Sequence, residues 1–478
     1  MRTLHFSCSG VTVRHLFFAA GVFLLLVTVA AAAEIGYPPP PPAGKALSVE
    51  DTIYGVLRNH RNLRSMIENR EVLDYEVQRA QAGFGPRVDL NGQAGGSVLS
   101  DSSTRSENLD SQMWGKVSYS AKLVQPIWDG FATRSRVRTA KSTLESQKYR
   151  VFDTATSLSL DAVIAHIDLL RRRKIFELSE ENVAHHKGLV AQAQDRASVG
   201  ADTAADVTQA QSRLQRALSS LSEAKAALRV AEETYVRLTG LPAASRLQPV
   251  SMPPQVFAAS QAVMDQAQKS NPKLAAYLQD IRASRGNREL ADSAFAPAVN
   301  LEAGPGYSNL GGASDRWVYS FDVMGVVRWN IFNSGADLAE QRAASARVRQ
   351  SRQVMYNFVD DLKLDVESTW INYQAAQEQY NHYSKAIEYN KYTRTAYLEQ
   401  FQIGKRSILD VLDTESELYN SATQAETSRG NILVGAYRLS ALTGNMLPQM
   451  SINTGPLGQS APKDPGDPRE EFAPGWFN

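Results

Sequence analysis

The body of this chain is written twice, and that fact limits its fold more than any other. FGPRVDL at 84–90 recurs as FAPAVNL at 295–301, an offset of 211, and Leu63 matches Leu274 at the same offset. Further on, Gly200, Asp206, Val207, Leu214 and the run Leu238, Thr239, Gly240 recur as Gly404, Asp410, Val411, Leu418 and Leu442, Thr443, Gly444. That offset is 204 throughout, and the seven-residue difference falls where Gly, Ser, Asp and Asn cluster, so it is one of loop length. A fixed period marks one structural unit repeated. The 478 residues alone suggest about three domains; the duplication replaces them with two units of roughly 200 residues each. The first repeat runs over 47–250 and the second over 251–447.

Each unit has the same grammar: a helix, two strands, then two long helices. Phe131 to Val199 holds no proline and one glycine, Gly188; Ala336 to Ile403 holds neither. The expected long helices are 131–199 and 201–240 in the first repeat, and 336–403 and 405–443 in the second. At about 1.5 Å per residue the longer ones reach roughly 100 Å. A compact globule of this length has a radius of gyration near ~22 Å, so such helices must form a rod, a bundle or a tube. The returning helices carry a heptad: Val207, Leu214, Leu221, Leu228 and Tyr235 on one row, Ala210, Ala217, Ala224, Ala231 and Leu238 on the other. Its counterpart places Val411, Leu418, Ala425, Ile432 and Leu439 beside Thr414, Ser421, Ser428, Gly435 and Leu442. A seven-residue apolar repeat imposes left-handed supercoiling, and the small residues permit close approach. An ordinary antiparallel coiled coil satisfies the heptad equally well.

The strands separate rod from tube. The hairpins are expected at about 86–128 and 297–332. Val117, Tyr119, Ala121 and Leu123 alternate with Lys116, Ser118, Ser120 and Lys122. Trp317, Tyr319, Phe321, Val323, Val327 and Trp329 likewise oppose Arg316, Ser320, Asp322 and Arg328. Period two with one apolar face means half-buried strands, and each is about as long as a transmembrane strand. Trp114, Trp128, Trp317 and Trp329 fall near strand ends, where interfacial aromatic girdles sit. A sheet packed on a soluble core is the competing reading. If the strands do span a membrane, four cannot close a barrel, and open edges are not tolerated in lipid. The chain must then oligomerise.

The N-terminus reads as an address. Arg2 and Arg14 precede the uncharged run Leu16–Ala33, and Ala31, Ala32 and Ala33 fit a small-x-small cleavage site. Residues 1–33 are therefore expected to be a signal peptide; the rival is an uncleaved anchor, since the run is nearly long enough to span. The one cysteine, Cys8, lies in that segment, which excludes an intramolecular disulfide, a Cys-based zinc site and a Cys nucleophile downstream. Residues 34–46, with Pro38–Pro42, form a stiff spacer. Residues 448–478, rich in Pro, Gly and charge, are expected to be a disordered tail. A net charge of +1 gives no footprint for nucleic acid. No phosphate-binding Gly-x-x-x-x-Gly-Lys-Ser/Thr loop occurs, and no cofactor is expected. His185 and His186 point to different helix faces, which argues against a metal site.

Two local motifs, together with the duplication, resemble the TolC-like outer membrane factors, the exit ducts of tripartite efflux pumps and type I secretion systems. LVQPIWDGF at 123–131 is echoed by WNIFNSG at 329–335, where strand passes into long helix. GKRSILDVLD at 404–413 is echoed by GADTAADV at 200–207. The resemblance covers residues 47 to 447. It implies a mostly α chain with a small transmembrane β part, a homotrimer whose twelve-stranded β-barrel continues into a twelve-helix α-barrel, sited in outer membrane lipid. It implies turns at Gly200 and Gly404 as periplasmic tips, acidic pore rings at Asp410 and Asp413, and a gate brace of Arg406 with Asp206. The family's second brace uses a tyrosine where this chain has Phe401, which lacks the hydroxyl, and Gln209 stands opposite Asp413 in the first repeat. Partners implied are a periplasmic adaptor and an inner-membrane transporter. The alternative is a periplasmic coiled-coil adaptor without channel activity; such a protein carries one helical hairpin, and the duplication argues against it. No nucleophile–base constellation supports a hydrolase.

Overall fold

A computed structural model describes residues 45–98, 100, 102–106, 113–243, 246–255, 257–309 and 317–457. The signal segment, nearly all of the spacer and the last 21 residues lie outside the described residues. The first repeat is α1 (Val49–Asn59), α2 (Arg61–Ala82), β1 (Arg87–Val98), the short α3 (Ser102–Ser106), β2 (Met113–Trp128), α4 (Ala132–Ser198) and α5 (Ala204–Thr239). The second is α6 (Ser260–Ser270), α7 (Pro272–Asp292), β3 (Ala298–Asn309), β4 (Trp317–Arg328), α8 (Ala336–Gln402) and α9 (Ile408–Leu442), followed by α10 (Met446–Gln449). α4 and α8 have 67 residues each. Among the described residues no helix is long and apolar enough to cross a membrane.

The opening helix of each unit is broken, at His60 and at Asn271, which are equivalent at the 211 offset. Both adopt extended backbone, with ψ of 116° and 120°. At Asn271 the cause is Pro272, which disfavours the helical region for the residue before it and is itself suited to the first helical position.

The four strands form one antiparallel sheet in the order β1-β2-β3-β4. Its register places Leu90 opposite Ala121, Tyr119 opposite Tyr307, and Tyr307 opposite Tyr319. One face therefore collects Val88, Leu90, Tyr119, Leu123, Tyr307, Tyr319, Phe321, Val323 and Val327, all exposed. The other face carries Glu302, which holds Lys122 at 2.5 Å and Arg328 at 2.9 Å. β4 stops at Arg328, four residues before the expected end of the hairpin, and Trp329 lies in the connector.

α4 is the spine. α2, α5, α7 and α9 all pack along it, and α8 packs on α7 and α9. The expected small-residue row of α5 is buried, from Ala210 to Ala231. Leu47, Leu169, Tyr235 and Leu241 form the core of the first repeat; Leu274, Ile281, Met355, Leu362 and Leu439 belong to that of the second. His166 is fully buried in the first core: Tyr235 OH lies 3.0 Å from Thr52 Oγ1, which lies 2.9 Å from His166 Nδ1. His166 Nε2 meets the Gln248 carbonyl at 3.0 Å and donates to it, and the Thr52 hydroxyl also reaches the Ser48 carbonyl at 3.0 Å.

The expected disordered tail starts ten residues too early. Residues 448–457 pack onto the repeats: Ile452 and Leu457 are buried, Arg70 donates to the Leu457 carbonyl, and the Asn453 amide donates to the Tyr54 hydroxyl. Two apolar anchors and two long-range hydrogen bonds outweigh what the polar composition suggested.

Candidate functional site

The far ends of the two long hairpins converge on one site. α4 and α8 terminate identically. The Gly200 amide donates to the Ala197 carbonyl at 3.1 Å and the Ala201 amide to the Arg196 carbonyl at 2.9 Å. The Gly404 amide donates to the Phe401 carbonyl at 3.0 Å and the Lys405 amide to the Gln400 carbonyl at 2.8 Å. This is the paired helix-end motif that needs a left-handed residue, and Gly200 and Gly404 have φ of 77° and 73°. A side chain at either position is strained by the backbone alone.

The returning helices start differently. Thr203 and Asp206 make a reciprocal capping box: the Asp206 amide donates to Thr203 Oγ1 at 3.2 Å, and the Thr203 amide donates to Asp206 Oδ2 at 3.0 Å. The Thr203 hydroxyl also donates to that oxygen, and these bonds hold the Asp206 carboxyl below its ordinary value. In the second repeat Ser407 caps Leu409, and Asp410 is left to Arg406, 3.5 Å away.

Within the protomer the structure does not bring Arg406 to Asp206. Arg406 is held by Asp410, by Gln400 Oε1 at 3.3 Å, and by stacking 4.0 Å over the Tyr397 ring. Asp206 is occupied with its own helix start. Asp413 is paired with Arg213 of α5 at 2.6 Å. Phe401 is buried, and the Arg196 guanidinium lies 4.7 Å from its ring centre while binding Asp202 through two nitrogens. Where the family's tyrosine offers a hydroxyl, this chain offers a ring face to a cation. Around Phe401, the buried Leu189, Val190, Ala193, Ala210, Ile408, Val411 and Leu412 join α4, α5, α8 and α9.

One turn above, Glu415 is buried between His185 Nδ1 at 2.5 Å and Arg394 at 3.5 Å. Adjacent His186 is buried too; burial first, and the Arg213 charge further, push its imidazole below the ordinary value, partly opposed by Glu415. Arg196, Arg213, Arg394 and the His185–Glu415 pair were missed from sequence. The one available signal was that Asp206 and Arg213, seven apart, share a helix face.

At the sheet, Trp114 and Trp317 stand at the end remote from the long helices, where Trp317 stacks on Tyr307 with ring centres 4.8 Å apart. Trp128 and Trp329 stand at the helix end; Trp128 meets Phe131 edge-on at 6.4 Å, and the Trp329 indole donates to the Phe295 carbonyl at 3.1 Å. Trp317 and, through the register shift that sets it opposite Val299, Trp128 lie on the apolar face, whereas Trp114, expected with them, alternates in step with Lys116 and Lys122 and lies on the polar face.

A duplicated unit whose one-sidedly apolar sheet is continued by paired long helices has the fold of an outer membrane channel subunit. The chain belongs to the TolC-like outer membrane factors: the model of the outer membrane efflux protein family matches residues 52–241 and again 263–445, one match per repeat. It is 25% identical over 405 residues to the outer membrane efflux protein BepC of Brucella suis, covering 84% of this chain and 86% of that one. It is 22% identical over 412 residues to the alkaline protease secretion protein AprF of Pseudomonas aeruginosa, covering 84% and 85%. Among solved structures, the CmeC outer membrane channel of Campylobacter jejuni shares the fold with a TM-score of 0.72 at 15% identity, over 83% of this chain and 86% of that one.

Proposed function

We propose that the protein is a homotrimeric outer membrane exit duct, passive and gated at its periplasmic end, serving type I protein secretion or tripartite efflux. The observation that carries this reading is the sheet. It is apolar on one face and charged on the other, and β1 and β4 each have one edge without a strand among the described residues. Lipid tolerates such a sheet only inside a closed barrel. The flanks of the helical part agree. Leu364, Ile371, Tyr389 and Tyr392 are exposed on α8, which packs on α7 and α9, and Val72, Tyr75 and Val230 are exposed on α2 and α5, which pack on α4. Two unlike apolar flanks suit a head-to-tail ring. Three copies of four strands, and of four helical columns (α2 with α5, α4, α7 with α9, α8), make a twelve-stranded barrel over a twelve-helix tube.

In that assembly Gly200 and Gly404 turn the periplasmic tips, Asp410 and Asp413 ring the constriction, and Trp317, Trp128 and Trp329 sit at the two membrane interfaces. Arg406 and Asp206 brace neighbouring hairpins across protomers, with Phe401 packed behind them. The family and the relatives named for efflux and for protease secretion support an adaptor and an inner-membrane transporter as partners. Cell fractionation with planar-bilayer conductance tests the reading. A protein that stays in the soluble periplasm and forms no pores refutes it.

A further inference from the structure

The duplication is broken in one chemically meaningful place. At the 204 offset, Gln209, Arg213 and Arg216 of α5 correspond to Asp413, Glu417 and Asn420 of α9. Two equivalent helices have thus diverged to opposite charge on equivalent faces, α5 basic and α9 acidic. The two faces meet at the tip, where Arg213 bonds Asp413 at 2.6 Å. Arg213 is the less exposed partner, with its side chain 27% exposed against 59% for Asp413. The arginine is therefore tucked between the hairpins while the carboxylate stands outward. Asp410 has its own arginine in Arg406.

We infer that Arg213 sets the charge of the constriction, neutralising Asp413 while α5 and α9 stay together and exposing an acidic ring only when they part. The inference rests on the pore-lining reading of Asp413 given above. The geometry makes α9 the element whose displacement matters. Its first two turns are tied to α5 by Asp413–Arg213, to α4 by Glu415–His185 and to α8 by Glu415–Arg394. Moving α9 away from α5 separates the guanidinium from the carboxylate, and in a trimer this uncovers three negative charges at one level. A compensated ring admits cations and anions with little preference; an uncompensated one binds divalent cations and disfavours anions. Arg213 is thus a selectivity residue contributed by the repeat that lacks the acid.

The test is divalent-cation block of the full-length protein in planar bilayers, with Mg²⁺ as the probe and trimer content checked for each variant. Arg213→Ala is expected to lower the half-blocking concentration by on the order of tenfold and to shift the reversal potential toward cations. Arg213→Lys, which keeps the charge, should block like the parent. Arg213→Ala combined with Asp413→Ala should lose the gain. Exchanging the pair, Arg213→Asp with Asp413→Arg, should return block toward the parent, and the shift of reversal potential in Arg213→Ala at unchanged trimer content is the readout that a merely structural role of Arg213 would not move. Unchanged block in Arg213→Ala, alongside altered block in Asp413→Ala, overturns the inference and leaves the constriction reading standing. Unchanged block in Asp413→Ala overturns the constriction reading and this inference with it. Absence of any pore overturns the channel reading itself.

Discussion

Truncating Phe401 to alanine should loosen the tip without disturbing the rest of the chain. Phe401 is 1% exposed and packs with residues from α4, α5 and α9, so its removal empties a site that four helices share. Phe→Ala in a packed core costs about 3–5 kcal/mol. The Arg196 contact over the ring adds roughly 0.5–2 kcal/mol, toward the lower end because Arg196 is partly solvated. The tip is one end of a 67-residue helix pair, and the repeat cores around Tyr235 and Met355 lie far along it, so the loss should appear as local opening. Taking the core term alone, the open tip should be populated roughly 100- to 4,000-fold more. Hydrogen exchange on peptides covering 186–214 and 397–418 measures this directly, with peptides of α1 and α7 as internal controls. Phe401→Tyr keeps the ring and should protect the tip better than the alanine variant. If Phe401→Ala leaves tip exchange at the parent rate, the aromatic cluster does not hold the tip, and the reasoning fails.

Other perturbations probe other parts. Leu364→Glu with Ile371→Glu changes two exposed α8 positions, so protomer stability should shift by no more than about 0.5 kcal/mol per site, while trimers disappear from native mass spectra; intact trimers would refute the flank assignment. Burial, with a smaller push from Arg173, lowers the His166 imidazole from its ordinary 6.5. The unfolded chain therefore takes up that proton before the folded one does, and stability should fall as pH drops below 6.5 toward the depressed folded value. The drop in melting temperature between pH 7.5 and 5.5 should be shallower in His166→Gln; equal slopes would show that His166 does not contribute. Glu302→Gln removes the carboxylate that pairs Lys122 and Arg328 on the polar sheet face, so reversal potentials should move toward anions; no movement would place that face outside the conduction path.

Much of the fold was legible because it is encoded locally. The 204 and 211 offsets announced a repeated unit, the absence of proline announced the long helices, and alternation around Tyr119 and Phe321 announced which sheet face is apolar. Even the tip turns could be read, because a left-handed helix end is chemically a glycine position. The tail failed at residues 448–457, since composition carries no information about where Ile452 and Leu457 find a core.

The pairing of the charges at the tip was not legible in the sequence. The glycines at 200 and 404 marked the ends of the long helices in the sequence, and the family resemblance supplied Asp410, Asp413, Arg406, Asp206 and Phe401. Only the tertiary structure decided that Asp206 caps its own helix, that Arg406 turns to Asp410 and Tyr397, and that Asp413 belongs to Arg213, two hundred positions away. The reason is geometric. Period and backbone conformation are properties of neighbouring residues, whereas the partner of a charge on one long helix depends on how far that helix has slid along the next. A slip of one turn, about 5.4 Å, would re-pair every ion at the tip while leaving every heptad intact.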